Sequence, residues 1–287
     1  METDKDIAEL RAALEQSRHE AESLRAELEE TNRGVLALYA ELDAQADQLR
    51  EATELKSRFL AYMSHEFRTP INSIRSLTRL LLDRVDGPLS AEQEKQIAFI
   101  QQNATEFAEM VDDLLDLAKV EAGRVEISPA WFEMVDLFSA LRGMFKPVLT
   151  NPEVHLVFEE PQDVPKLYTD HRKLSQILRN FISNALKFTP RGEVRVSARF
   201  EPDQRVTFSV ADTGIGIAPE YHESIFQDFS QVQSALQKRL RGTGLGLSLS
   251  RKLAALLGGS VSLESEPGKG STFSVTIPVQ LEGAGTP

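Results

Sequence analysis

Apolar residues recur at alternating spacings of three and four along the first part of the chain. Ile7, Leu10, Leu14, Leu24, Leu28, Val35, Leu38, Leu42 and Leu49 make the stripe, and Ser17, Ala21, Thr31 and Gln45 fill its remaining places. The positions between are rich in Glu, Arg, Gln and Ala. A stripe this narrow, kept for about six heptads, predicts a parallel two-stranded coiled coil rather than a helix packed on its own protein body. Beyond Leu49 the register slips: Ala52 and Lys56 are poor core residues, and Leu55, Phe59 and Tyr62 or Met63 take over. Such a stutter changes the supercoil locally. From Phe59 to about Val85 the apolar face widens, through Ile71, Ile74, Leu77 and Leu80 to Leu82. Asp86-Gly87-Pro88 is a breaker, and Ser90 with Gln93 three residues later predicts a capping-box start for the next helix. That helix runs to about Glu121 with Ile97, Ile100, Ala104, Phe107, Val111, Leu114, Leu115 and Ala118 inward, and Gly123 stops it. One such hairpin buries too little by itself, so the pattern predicts a four-helix bundle from two copies.

After Gly123 the pattern changes to short runs. Alternation predicts strands near 154–158, 166–168, 193–200, 205–211, 260–265 and 271–279, and helices near 134–149, 171–188 and 245–257. Residues 124–132 read as a linker with an extended piece. Runs mixed in this way predict a two-layer α/β sandwich, with helices on one face of a largely antiparallel sheet. The expected organisation is a coiled coil over 1–57, a helical hairpin over 58–124, an α/β domain over 125–280 and a disordered tail over 281–287.

Composition narrows the partners. A net charge of −12 argues against nucleic acid or an anionic membrane as the main partner. The absence of cysteine excludes disulfides and thiolate metal sites and fits a reducing cytoplasm. No stretch reaches the roughly eighteen apolar residues of a membrane span, and the charged start Met1-Glu2-Thr3-Asp4-Lys5-Asp6 lacks a signal-peptide core. A soluble cytoplasmic polypeptide is expected.

Two constellations carry candidate chemistry. In Ser64-His65-Glu66-Phe67-Arg68-Thr69-Pro70, His65 and Thr69 share a helical face, Glu66 lies beside them, and Pro70 is expected to bend the helix one turn on. Farther along, Asn180, Asn184 and Lys187 fall on one helical face at i, i+4, i+7. Paired asparagines beside a lysine suggest hard oxygen donors for magnesium and a cation for phosphate. Asp212-Thr-Gly214-Ile-Gly216 follows a strand, and an aspartate there suits an exocyclic amine such as adenine's. Phe226-Gln-Asp-Phe229 opens a polar stretch, too long for a simple connection, that predicts a lid carrying Lys238, Arg239 and Arg241. Gly242-Thr243-Gly244-Leu245-Gly246 then leads into a helix, whose free N–H groups suit phosphate. Neither a dinucleotide GxGxxG nor a GxxxxGK[ST] loop is present.

Over residues 55–280 the sequence resembles the sensor histidine kinases of two-component signalling. His65 to Pro70 is similar to their phosphoacceptor box, Asn180 to Lys187 to the N box, and Asp212 to Gly216 to the G1 box. Phe226 to Phe229 is similar to the F box and Gly242 to Gly246 to the G2 box. The resemblance implies a Bergerat ATP-binding domain and a homodimer held by the coil and hairpin. By position, His65 would be phosphorylated with Glu66 as its base, and Thr69 would position water when a partner is dephosphorylated. Asn184, helped by Asn180, would hold Mg2+, Lys187 would meet phosphate and Asp212 adenine. The phosphoryl group would pass to an aspartate on a separate response-regulator receiver. His19, His155, His171 and His222 lack such a setting. A Bergerat-fold conformational ATPase or a serine-directed kinase would leave the histidine box unexplained, and a coiled-coil scaffold explains only the first third. A phosphatase-biased family member fits the same residues.

Overall fold

The helical runs form as a long helix and a second one folded back on its end. The computed structural model describes residues 2–85, 87–149, 151–161, 164–230 and 243–281, without the side chains of 2–13, 57 and 61. Helix α1 spans Glu2–Leu82 and continues through Pro70. Two compact units divide it at Arg58, Met1–Arg58 and Phe59–Pro287. In the first unit the stripe is open: Leu14, Leu24, Leu28, Val35, Leu38, Leu42 and Leu49 are all exposed.

In the second unit, the end of α1 and helix α2 (Ala91–Glu121) form the hairpin. The expected capping box is present: the Ser90 hydroxyl accepts from the Gln93 N–H and the Gln93 side chain accepts from the Ser90 N–H. Ser90→Ala should cost about 1 kcal/mol, read as faster amide exchange in the first turn of α2. The wide apolar faces are covered only in part by the hairpin itself. Ser64, Ile71 and Thr78 on α1, and Ala104, Val111, Leu117 and Ala118 on α2, are buried, whereas Ile74, Leu77, Leu80, Ile100 and Phe107 stay exposed. Ile71, Ala104 and Val111 form the cluster shared by the two helices, which leaves much of each face for another surface.

The remaining elements make the two-layer sandwich. Strands β1 (Ala130–Phe132) and β3 (Leu167–Thr169) pair as a small antiparallel sheet. The main sheet has the order β2-β4-β5-β7-β6, from β2 (Val154–Phe158), β4 (Gly192–Glu201), β5 (Arg205–Asp212), β6 (Ser260–Glu266) and β7 (Gly270–Pro278). Among the described strands of this sheet, β2 and β4 pair in parallel and the other neighbours antiparallel. Helices α3 (Met134–Phe145), α4 (His171–Phe188) and α5 (Gly246–Leu256) share one core with the sheet's apolar face, including Leu141, Ile177, Phe181, Leu253, Val196, Phe208 and Val275. Alternation leaves the other face small and polar. Ser197, Ser209, Ser274 and Ser262 stand in register across four strands, and the Ser209 and Ser274 hydroxyls are 2.8 Å apart. Asp170 caps α4 by accepting from the N–H groups of Arg172 and Lys173, and its second oxygen accepts from Ser128 N–H in the linker. One carboxylate thus anchors both α4 and the chain leaving the hairpin.

Candidate functional site: a phosphoacceptor helix and a nucleotide cleft

His65 stands outward on α1. Its side chain is 79% exposed, and its Nδ1 lies 3.9 Å from Glu66 Oε1, outside hydrogen-bond range but within ion-pair reach. Thr69 Oγ1 donates to the His65 carbonyl at 3.3 Å, which places the hydroxyl one turn beyond the imidazole. Two cross-hairpin contacts orient this turn: Arg68 pairs with Asp112, and the Phe67 and Phe107 rings are 6.0 Å apart.

The second constellation is built on α4 and the start of α5. Asn180 and Asn184 project from the same half-buried face of α4, and Asn184 Nδ2 donates to Asn180 Oδ1 at 3.3 Å. Asn180 Nδ2 in turn donates to Ser250 Oγ of α5 at 2.8 Å. With its N–H committed to Asn180, Asn184 has a carbonyl oxygen to offer a cation. Gly246, the first residue of α5, packs directly against this pair: a Cβ there would lie 2.3 Å from Asn180 Oδ1. The bare backbone at the helix start is therefore a steric requirement of the asparagine face. Ser250 is a site residue that sequence reasoning missed. Its signal was present as Leu247-Ser248-Leu249-Ser250, hydroxyls in an apolar helical run whose serines are both buried.

Lys187 is half-buried near the end of α4. Burial lowers its pKa, and Glu106 on α2 opposes that shift. Asp212 ends β5, half-buried, and burial raises its carboxyl above the ordinary range. The Gly214 N–H, donating at 2.8 Å, the Ser271 backbone and the Thr189 side chain offset part of this cost. Gly216 has φ +67, and a Cβ on it would lie 2.0 Å from the Glu266 carbonyl, so the turn after Asp212 folds tightly onto the β6–β7 connection.

The two phenylalanines of the next motif separate. Phe226 is buried, edge-on to Phe273 at 6.4 Å with the Arg251 guanidinium 5.9 Å from its ring centre, and anchors the segment. Phe229 is 64% exposed with φ +61, an uncommon backbone region for a bulky side chain. Thr243 Oγ1 accepts from the Leu245 N–H at 3.1 Å, Gly244 carries φ +70, and Leu245 is buried as the cap of α5. Lys238, Arg239, Arg241 and Gly242, with the expected lid, lie outside the described residues, as does the tail beyond Leu281. Among the described residues no group of three or more His, Cys, Asp or Glu side chains is placed to hold a metal ion. The donor set at the cleft is instead neutral amide oxygen. That fits magnesium, which keeps its waters and binds nucleotide phosphates. Of the other histidines, His171 lies 6.0 Å from the Phe132 ring and His222 Nε2 lies 3.1 Å from the Ile217 carbonyl, both packing roles. No described helix is long and apolar enough to cross a membrane.

Known proteins share both halves of this arrangement. Residues 55–123 match the His Kinase A (phospho-acceptor) domain, and residues 169–281 match the histidine kinase-, DNA gyrase B- and HSP90-like ATPase family. An uncharacterised sensor-like histidine kinase of Rhizobium meliloti is 38% identical over 86% of this chain and 47% of its own length. The histidine protein kinase DivJ of Caulobacter vibrioides is 39% identical over 79% of this chain and 38% of its own length. For the autoinducer 2 sensor kinase/phosphatase LuxQ of Vibrio harveyi the identity is 36%, over 81% and 28%. The chain thus spans less than half the length of these curated relatives. Among solved structures, full-length ShkA in complex with AMPPNP is 33% identical with a TM-score of 0.63, over 76% of this chain and 45% of that one. A phosphoacceptor helical hairpin followed by an ATP-binding sandwich, matched in sequence and in fold, makes this chain a member of the two-component sensor histidine kinase family.

Proposed function

We propose that the chain transfers the γ-phosphoryl group of ATP to His65 and then to an aspartate on a separate response-regulator receiver domain. The observation that carries this is the pairing, within one unit, of an exposed histidine backed by Glu66 with a cleft where Asn180 fits against Gly246. In the proposed organisation residues 1–57 form the signalling coil, 58–124 the dimerising hairpin, 125–280 the ATP-binding domain and 281–287 a tail. The open leucines of the coil and the uncovered half of the hairpin support a homodimer, each leucine buried by a second copy contributing about 2 kcal/mol. ATP as the proposed phosphoryl donor supports a cytoplasmic location.

In the reaction, the Nε2 lone pair of neutral His65 attacks the γ-phosphorus in line while the bond to the bridging oxygen of ADP breaks. Glu66 closes onto Nδ1–H, raises the ring's nucleophilicity and stabilises the positive charge that grows on it. Asn184, oriented by Asn180, holds Mg2+, which neutralises phosphate charge. Lys187 meets the phosphates, and the backbone at the glycine-rich start of α5 is assigned to them as well. Asp212 accepts from the adenine amine. Phe226 and Phe229 precede the polar segment that carries Lys238, Arg239 and Arg241, which are assigned by their charge alone to the phosphates. The phosphoramidate then passes to the receiver aspartate. The Thr69 hydroxyl, one turn from the imidazole, supports a reverse role in placing water for dephosphorylation of that aspartate.

Incubation with Mg2+ and γ-labelled ATP tests the proposal. The expected product is label on the protein that is lost in acid and kept in alkali. ATP hydrolysis with no such label would instead support a conformational ATPase.

A further inference from the structure

On the core-facing side of the main sheet, the apolar rows stop short of one end. Val210, Phe273 and Leu263 stand in register across β5, β7 and β6, and the next row in that direction is Asp212, Ser271 and Ser265. Polar side chains in line on such a surface need partners. The Ser265 hydroxyl has three. It accepts from the Ile217 N–H at 2.8 Å, donates to the Gly270 carbonyl at 3.0 Å and lies 2.9 Å from Ser271 Oγ. A seryl oxygen carries one proton and two lone pairs. The Gly270 carbonyl can only accept, so the Ser265 proton goes there. The two lone pairs of Ser265 then take the Ile217 N–H and the Ser271 hydroxyl proton, and all three contacts are made at once. Ser271 has spent its only proton in this arrangement, and towards anything else it is an acceptor. Asp212, Ser265, Ser271 and Lys269 border one open hollow of about 320 Å³, within the size range of small-molecule sites. Asp212 Oδ1 is engaged by the Gly214 N–H, and the Gly268 N–H donates to the Ile215 carbonyl at 2.8 Å, so the turn after Asp212 is tied to the β6–β7 connection beside Ser265.

We propose that Ser265 is a positioning residue for base specificity: by holding the Ser271 proton it presents two acceptors, the Asp212 carboxylate and the Ser271 oxygen, to the two N–H groups of an exocyclic amine. The inference rests on the proposed ATP reading and deepens it from a nucleotide to the choice of base. A 6-amino purine matches both acceptors. A 6-oxo purine puts a carbonyl oxygen there and leaves at least one acceptor unmatched, which a desolvated site penalises. Ser271 cannot turn its proton towards that oxygen without giving up its bond to Ser265.

The test measures the affinities of ADP and IDP, each with Mg2+, for wild type, Ser265→Ala, Ser265→Thr and Ser271→Ala. The reading is the ratio of the two affinities, which a general loosening of the cleft would leave alone because it weakens both nucleotides together. Wild type should prefer ADP. In Ser265→Ala the freed Ser271 hydroxyl can donate to the 6-oxo group, and the preference should fall about tenfold. Ser265→Thr keeps a hydroxyl at the same place and should restore it. Ser271→Ala removes the second acceptor with Ser265 still present, so it should narrow the preference as well and decides the matter if Ser265→Ala does not fold. A wild-type ratio retained in the alanine variants, or a ratio in Ser265→Thr no higher than in Ser265→Ala, overturns the assignment. Equal binding of both nucleotides by wild type overturns it too and leaves the nucleotide cleft standing, whereas a wild type that binds neither overturns the ATP reading itself.

Discussion

His65→Gln is expected to remove the acid-labile label completely while nucleotide binding stays within about twofold of wild type. Glutamine keeps the length and polarity of the side chain but has no nitrogen lone pair able to form a phosphoramidate. The side chain is largely exposed and the orienting contacts belong to Phe67 and Arg68, so the hairpin should fold unchanged. Glu66→Gln separates the acceptor from its base. At 3.9 Å the Glu66 carboxylate must close by about an ångström to reach Nδ1–H, a rotamer adjustment available to glutamate. The neutral amide can still approach but cannot stabilise the developing charge, so the labelling rate should fall by about 10²–10⁴-fold. KM for ATP should remain, because Glu66 acts on the imidazole. Glu66→Asp, one methylene too short to close the gap, should resemble Glu66→Gln. A Glu66→Gln enzyme labelling at the wild-type rate would remove the base from the mechanism.

Gly246→Ala is the second large effect, and it should strike binding rather than transfer. The added methyl would sit 2.3 Å from Asn180 Oδ1 and 2.8 Å from its Cγ. Asn180 has little room to yield, since Ser250 holds its Nδ2 and Asn184 bonds its oxygen. Either the first turn of α5 moves outward or the asparagine pair rotates, and both disturb the groups assigned to phosphate and magnesium. Overpacking of this kind costs about 1–3 kcal/mol, so affinity for Mg·ATP should drop about 10- to 100-fold in a calorimetric titration. Affinity within twofold of wild type would show that the asparagine face is not part of the nucleotide cleft.

Much of the architecture was legible because it is carried by local signals. The capping box at Ser90 and Gln93 and the glycine after α2 are short-range chemistry, and the strand runs alternate cleanly because one sheet face meets helices and the other carries Ser197, Ser209 and Ser274. The N-box face followed from helical spacing alone. Contacts between distant segments were not legible. Strand β1 read only as an extended piece, since three residues gain strand character by pairing with β3 far along the chain. Lys252 and Glu121 are 131 residues apart, and neither carries a motif that announces the other. Phe226 and Phe229 look alike in sequence and differ only once Phe273 is in place to cover the first. Ile74 and Leu77 were legible as part of an apolar face, but periodicity does not tell which of its residues the hairpin itself covers, and these two stay exposed.

On α1 the buried residues described are one bulky side chain and two small ones: Ile71 clusters with Ala104 and Val111 of α2, and the positions seven residues to either side of it are Ser64 and Thr78. Close-packed large side chains resist axial rotation because each must leave its hole before entering the next, whereas small ones present shallow holes. On α1 the buried seam is therefore shallow on either side of Ile71, and one turn before it the helices are held by the Arg68–Asp112 pair and the Phe67–Phe107 contact. Ser64, whose buried hydroxyl makes no hydrogen bond among the described residues, lies in the shallow region immediately before His65. A twist entering α1 ahead of His65 therefore has only the half-exposed Arg68–Asp112 and Phe67–Phe107 contacts to shift before Ile71, and no buried layer, so it is spent as rotation of the imidazole.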